Sequence, residues 1–311
     1  LVLASSFTSA VTLISMPGYV YQAGVSGLVY YNICQTLGLL TGLMVVGNKV
    51  RKTNLNEPIL SIPQWLGSFY KSKSLGHFFA FQSFFLITFM VLVAMLMGDM
   101  ISGVFGFPYQ WSVALICLFV FGYSMVGGSY GHGWSGLIQS GIMICVVLLL
   151  VAKTMPDPAS WAEFKESIVL EEPHYFQPVN ADSLVFKDAF TVFYCAFVMG
   201  FCNVFQPHIF SKTLYLSKEK SWNKTAVLAI AVVSIFNLAL LVGLFIRVRE
   251  DGLTNYDTLM SNYIFRTMGP VFVAFLFVTV MAAAMSTLEG VIIGMCGTIG
   301  TDIISETVRP E

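Results

Sequence analysis

Eight long apolar stretches dominate the chain, near residues 1–24, 26–48, 75–103, 109–127, 132–153, 187–210, 225–247 and 268–301. Each has about the 20 residues that a helix rising about 1.5 Å per residue needs to cross about 30 Å of hydrocarbon. None alternates with the period of two that a membrane-barrel strand requires. The pattern predicts an all-α, polytopic membrane protein of about eight transmembrane helices, because a helix satisfies its own backbone where lipid offers no partner.

The polar positions between these stretches orient them. Lys49, Arg51, Lys52, Lys71 and Lys73 lie between the second and third stretches, and Lys212, Lys218, Lys220 and Lys224 between the sixth and seventh. The segment between the fifth and sixth holds Asp157, Glu163, Glu166, Glu171, Glu172 and Asp182 with only Lys165 in its interior. Basic loops stay in the cytoplasm, so the first helix is expected to run from inside to outside and the sixth the other way. Within the first basic loop, SIPQWLGSFY (61–70) is too short to span. It reads either as an interfacial helix anchored by Trp65, Phe69 and Tyr70 or as a loop with a few aromatics.

Composition strengthens the membrane reading: 56% of residues are hydrophobic and only 11% charged, against about 25% charged in soluble domains. The net charge of -1 says little about partners, and nothing points to nucleic acid. The six cysteines all lie in apolar stretches without metal or redox spacing and read as small buried hydrophobes. The four histidines make no metal pattern. No signal peptide is evident, and the chain starts without Met inside an apolar stretch and ends just after another, which predicts a piece of a longer protein.

Two of the stretches are interrupted. The first contains Ser15-Met16-Pro17-Gly18, preceded by a crowd of hydroxyls at Ser5, Ser6, Thr8, Ser9 and Thr12. The sixth contains Gly200, Asn203, Gln206, Pro207 and His208. Proline and glycine weaken helices there. The two stretches are five apart and so run oppositely, and interrupted helices in corresponding places of inverted halves point to a secondary transporter's binding site. Ordinary proline kinks offer the plainer reading.

The eighth stretch carries polar groups at its centre, AAAMSTLEG (282–290). Ala283, Ser286 and Thr287 share one helix face. Their carbonyl and hydroxyl oxygens are hard, neutral donors suited to Na⁺, with further carbonyls available from an unwound helix. The same hydroxyls could equally bond back to the preceding turn or serve packing. Glu289, about 60° around the helix from Ser286, is a carboxylate at a depth where ionisable groups are expensive, and its role stays open. Asp99, near the outer end of the third stretch, is expected at the interface.

These residues resemble a known family. AAAMSTL (282–288) is similar to the A-A-x-M-S-T signature of the sodium:solute symporter family, which includes proline, pantothenate, monocarboxylate and glucose symporters. SSFTSAVT (5–12) with Pro17, Gly18 and Tyr21 resembles its first core helix. Gly127-Gly128 with Trp134, Ser135 and Gln139 resembles its G-G…W-T-D-x-x-Q segment, QPHI (206–209) its Q-P-H-I, and IPQWL (62–66) its I-P-E-F-L. The order and spacing of these stretches are specific and cover nearly the whole chain.

The resemblance implies a five-plus-five inverted-repeat core with broken helices one and six. Residues 1–153 would form the first five-helix repeat and 187–303 part of the second, in a single transmembrane transporter domain incomplete at both ends. By position it implies a sodium site from the carbonyls of Ser5, Thr8 and Ala283 and the hydroxyls of Ser286 and Thr287. The substrate-facing position falls on Thr12, with Asn203 and Gln206 as further candidates. Phe7 and Gly136 stand where proline symporters carry aspartates, and Glu289 where relatives carry small or polar residues.

The expected function is therefore sodium-coupled symport of a small organic solute or anion by alternating access, in a plasma or inner membrane, with the solute, Na⁺ and the lipid bilayer as partners. H⁺ coupling through Glu289 and a non-transporting sensor or receptor domain are the alternatives. No nucleophile–base pair suggests an enzyme.

Overall fold

The computed structural model describes residues 2–54, 59–214, 219–250 and 259–305. Its elements are helices: α1 (Val2–Ser5), α2 (Ala10–Ile14) and α3 (Met16–Ala23); α4 (Val25–Thr53), with two π-helical segments; α5 (Ile62–Tyr70); and α6 (Lys73–Phe105), α7 (Tyr109–Gly128) and α8 (Tyr130–Thr154). There follow α9 (Pro158–Glu171), α10 (Phe190–Phe205), α11 (Pro207–Thr213) and α12 (Ser221–Arg249), α13 (Leu259–Thr267) and α14 (Pro270–Ile304). No strand occurs among the described residues.

Six of these helices, α4, α6, α7, α8, α12 and α14, are long and apolar enough to cross a membrane, and the bent pair α10–α11 makes a seventh. The expected first span is present only as the three short pieces α1 to α3, so the expected count of eight is not reproduced by continuous helices. The span boundaries otherwise agree within a few residues.

The burial pattern is that of a protein in lipid. Phe78, Phe81, Leu92, Leu118, Val126 and Leu149 point outward from α6, α7 and α8. Hydroxyls and charges of the segment 5–12 and of α8, α11 and α14 are instead sealed inside, Ser5, Thr8, His132, Lys212 and Glu289 among them. Apolar side chains cost nothing against hydrocarbon, whereas polar ones must find partners within the bundle.

α14 is the axis of the interior, packed against α8, α6, α11 and α2, while α4 lies along α10 and α3 along α12. The α4–α10 contact depends on Gly200, where a Cβ would run into the Gln35 carbonyl oxygen. The turn from α7 to α8 depends on Gly128 (φ 51, ψ -150), a conformation nearly closed to residues with a Cβ.

Two expectations change. α5 forms, capped by Ser61 accepting from Gln64 N–H at 3.1 Å, but Trp65 is buried against Phe69 and Phe210 rather than anchored at an interface. Phe69 and Tyr70 are exposed. Of the cysteines, Cys34 alone is buried, and Cys145, Cys202 and Cys296 face outward. Asp302 near the end of α14 accepts from Ser61 Oγ at 2.6 Å, which ties α14 to α5. Beyond α9, Tyr175 donates to the Tyr21 carbonyl at 3.0 Å and Asn180 to the Ala23 carbonyl at 3.1 Å, which clamps the end of α3.

Candidate cation and solute site

The break in the first segment lies at residues 6–9, ahead of Pro17, which starts α3 instead. Its cause is local. Ser5 and Ser6 both donate their hydroxyls to the Val2 carbonyl, at 2.9 and 3.1 Å, and Ser9 N–H donates to Thr12 Oγ1 at 3.4 Å. Short hydroxyl side chains that bond nearby backbone compete with the helical ladder. The chain restarts as α2 behind Ser9, which is extended (φ -110, ψ 170).

The helices on either side of the break pack against α14. Ser5, Thr8, Ala283, Ser286 and Thr287 are all at most 3% exposed. Ser286 Oγ lies 3.5 Å from Ser5 Oγ, a direct polar contact between the two segments. Thr8 Oγ1 is buried without a hydrogen-bond partner, and the Thr8 carbonyl accepts no backbone hydrogen bond among the described residues. Leaving such a group unpaired in an apolar interior costs about 1–3 kcal/mol.

Thr287 Oγ1 donates to the Ala283 carbonyl at 3.0 Å. This is the ordinary back-bond of a membrane-helix threonine, yet it does not use up the site. A hydroxyl that has given its one proton to a carbonyl keeps its lone pairs. Thus α14 offers two hydroxyl oxygens beside a segment with an unpaired carbonyl and hydroxyl. Unwound backbone of this kind, together with oxygen-bearing side chains, is what coordinates Na⁺ in discontinuous helices. The donor set fits a monovalent cation. Gly136 of α8 closes one side, and a Cβ there would meet Ser5 Oγ at 3.4 Å.

The solute candidates fall in two places. Thr12, 6% exposed, lies in α2 just past the break. Gln206 Nε2 donates to Asn203 Oδ1 at 3.0 Å, and Gln206 lines a cleft of about 650 Å³ with Leu66, Phe79, Phe85 and Phe205. No hydrogen bond joins Thr12 to this pair among the described residues.

Glu289 is completely buried, three residues past Ser286 and two past Thr287. Its Oε2 accepts from Ser135 Oγ at 2.8 Å and lies 2.9 Å from His132 Nδ1. Lys212, counted above among loop cations, is instead inside α11 and 4% exposed. It donates to Ser6 Oγ and, at 3.4 Å, to the Val2 carbonyl. Arg51, also counted there, is buried and donates to the Thr213 carbonyl at 2.8 Å. Lys218 lies outside the described residues. His132, Ser135 and Lys212 are thus site neighbours that the sequence reading missed. Its one available signal was Glu289 itself, because a carboxylate at that depth needs a partner.

Known proteins resemble the chain along its length. The model of the sodium:solute symporter family matches residues 1–311. A sodium/pantothenate symporter of Haemophilus influenzae is 22% identical over 296 residues, covering 93% of this chain and 60% of the relative. The high-affinity proline transporter PutP of Bacillus subtilis is 21% identical over 318 residues, covering 96% and 63%. The chain therefore spans about three fifths of the length of these curated relatives. The solved substrate-bound outward-open state of a Na⁺-coupled sialic acid symporter superimposes with a TM-score of 0.74 at 18% identity, over 99% of this chain and 65% of that one.

Proposed function

From the premise that the chain belongs to the sodium:solute symporter family, and so is an integral membrane protein of a transporter family rather than an enzyme, we propose that it forms most of the core of a Na⁺-coupled symporter for a small organic solute or anion. The observation that carries the reading is the unwound stretch at residues 6–9. Its orphaned Thr8 hydroxyl lies in a segment whose Ser5 is in contact with Ser286 of α14.

Na⁺ bound by the carbonyls of Ser5, Thr8 and Ala283 and the hydroxyls of Ser286 and Thr287 ties α1–α2 to α14. An ion that binds one conformation more tightly than another shifts the population toward it, and this is how the gradient is coupled to alternating access. Thr12, next to the break, contacts the solute, and Asn203 and Gln206 line its path beside the second break. In this reading residues 1–153 and 187–303 are oppositely oriented repeats, with the two interruptions in matching places. Each Na⁺ entering down the membrane potential contributes about 2.3 kcal/mol per 100 mV.

The test is uptake by the full-length protein in proteoliposomes under an imposed Na⁺ gradient, using pantothenate and proline as first probes. Uptake should require Na⁺, and Thr287→Ala should raise the Na⁺ concentration for half-maximal uptake. Uptake driven instead by a pH gradient, lost in Glu289→Gln and kept in Thr287→Ala, would replace Na⁺ coupling by H⁺ coupling. Specific solute binding with no uptake under either gradient would favour a sensor.

A further inference from the structure

The turn between α5 and α6 contributes nothing to the sites described above, yet it is built around cations. Lys71 ends α5 in the left-handed region (φ 50, ψ 40), and Ser72 starts α6 by accepting from Leu75 N–H at 3.3 Å. Glycine adopts that conformation at least cost, and here it is taken by a residue with a charged side chain. The two helices pack closely where Gly67 meets Gly76. A Cβ at Gly67 would lie 3.5 Å from Gly76 Cα.

Beside this crossing is a cavity of about 400 Å³, within the size range of small-molecule sites, about 300–1,000 Å³. Lys71, Ser72, Lys73 and His77 line it from the turn and α6, and Asp302 lines it from the end of α14. Asp302 is the one carboxylate in the lining, and it already accepts from Ser61 Oγ at 2.6 Å. Two lysines against one carboxylate leave the cavity an excess of positive charge. Both lysines are exposed, and among the described residues neither ammonium has a hydrogen-bond or ion-pair partner. The cavity therefore suits an anion, and an ammonium meets phosphate as a point charge.

The surroundings narrow the kind of anion. Phe69 and Tyr70 of α5 and Phe78 and Phe81 of α6 are exposed. Lys49 lies over the Phe69 ring, 4.7 Å from its centre. Outward-facing aromatics beside cations mark the level of the lipid headgroups, and the basic loop 49–73 is the one that the positive-inside rule assigns to the cytoplasm. The cytoplasmic leaflet is where anionic phospholipids gather.

We propose that this cavity binds the phosphate headgroup of an anionic phospholipid, held by Lys71 and Lys73 with His77 beside them. The acyl chains run outward along Phe78 and Phe81. A free phosphate ion shares the headgroup's chemistry but gains nothing from the aromatic rim. Because Asp302 lines the same cavity and accepts from Ser61, an occupied cavity fastens the α5–α6 turn to the end of α14. The proposal does not depend on Na⁺ coupling.

The experiment is thermal unfolding of the purified full-length protein in detergent, titrated with dioctanoyl phosphatidylglycerol, dioctanoyl phosphatidylcholine or inorganic phosphate. Native mass spectrometry of the same samples counts bound lipid. Phosphatidylglycerol should raise the unfolding temperature saturably, and phosphatidylcholine should not. Lys71→Gln and Lys73→Gln should each raise the lipid concentration for half-effect about fivefold, and together about twentyfold or more. Lys52→Gln, a change to an exposed cation of the same loop that does not line the cavity, should stay within about twofold of wild type. Equal effects of the two lipids overturn the proposal, as does unchanged lipid binding in the double variant. A loss in Lys52→Gln as large as in Lys71→Gln overturns it in favour of diffuse surface attraction. Inorganic phosphate acting at the same concentrations as phosphatidylglycerol overturns the lipid and leaves a free-anion site.

Discussion

The two interrupted helices break in different ways and for different purposes. Between α1 and α2 four residues leave the helix, driven by serine hydroxyls turning back on the Val2 carbonyl. Between α10 and α11 a single residue does so. Gln206 is extended (φ -69, ψ 130), Pro207 starts the next helix, and the axis turns by 68°. The backbone accounting differs accordingly. The Gln206 carbonyl accepts from Ile209 and Phe210 N–H, both at 2.9 Å, whereas the Thr8 carbonyl accepts no backbone bond among the described residues. A proline break redirects a helix while keeping its carbonyls paired. A hydroxyl break leaves oxygens over for a ligand. The second break has its own consequence, because the turn at Pro207 brings His208 against α14 and Lys212 onto Ser6.

Removing Lys212 should have the largest effect on that difference. Lys212→Met deletes the buried side chain that donates to Ser6 Oγ and to the Val2 carbonyl, and leaving buried polar groups unpaired costs about 1–3 kcal/mol each. Thermal unfolding of the detergent-solubilised protein should shift markedly downward. Thr287→Ala comes next. It removes an oxygen of the proposed cation site and little packing, so Na⁺ half-saturation should rise about tenfold, which corresponds to about 1.4 kcal/mol, with unfolding nearly unchanged.

Pro207→Ala tests the other break. Alanine restores an N–H at the first turn of α11, where helices need none. Stability should change by less than about 1 kcal/mol, and Na⁺ binding should stay within about twofold of wild type. The smallest effect concerns a helix start outside both breaks. Asp157 caps α9 by accepting from Ser160 N–H at 2.9 Å, and this bond, with a second from Ser160 Oγ, holds its carboxyl below the usual carboxylate range. A lowered acid favours the folded state above its unfolded value, and the advantage is lost as pH falls through the lowered one. Amide exchange in α9 should therefore quicken below the carboxylate range in wild type. In Asp157→Asn it should be insensitive to pH over that range.

How much of this was legible in the sequence follows the same division. Apolar runs gave the second to eighth spans to within a few residues, since lipid selects on length and hydropathy alone, but not the breakup of the first into short pieces. The hydroxyl crowd at Ser5–Thr12 and the face shared by Ala283, Ser286 and Thr287 were readable because both are local. The exact place of the first break was ambiguous. Pro17 is the louder signal, yet proline at the start of α3 is harmless, and the quieter serines unwound the chain. Lys212 and Arg51 were misplaced because a charge count assigns cations to loops, whereas a long side chain at a helix end can turn inward when carbonyls and hydroxyls receive it. The Ser135–Glu289 and Lys212–Ser6 contacts join residues 154 and 206 positions apart, beyond the reach of any local pattern.

The most direct test is saturable ²²Na⁺ binding, without solute, to wild type, Thr287→Ala and Pro207→Ala side by side. Expected is binding by wild type and Pro207→Ala at similar Na⁺ concentrations and a strong loss in Thr287→Ala. Equal binding by all three, or loss in Pro207→Ala alone, would show that the oxygens freed between α1 and α2 do not hold the ion with α14.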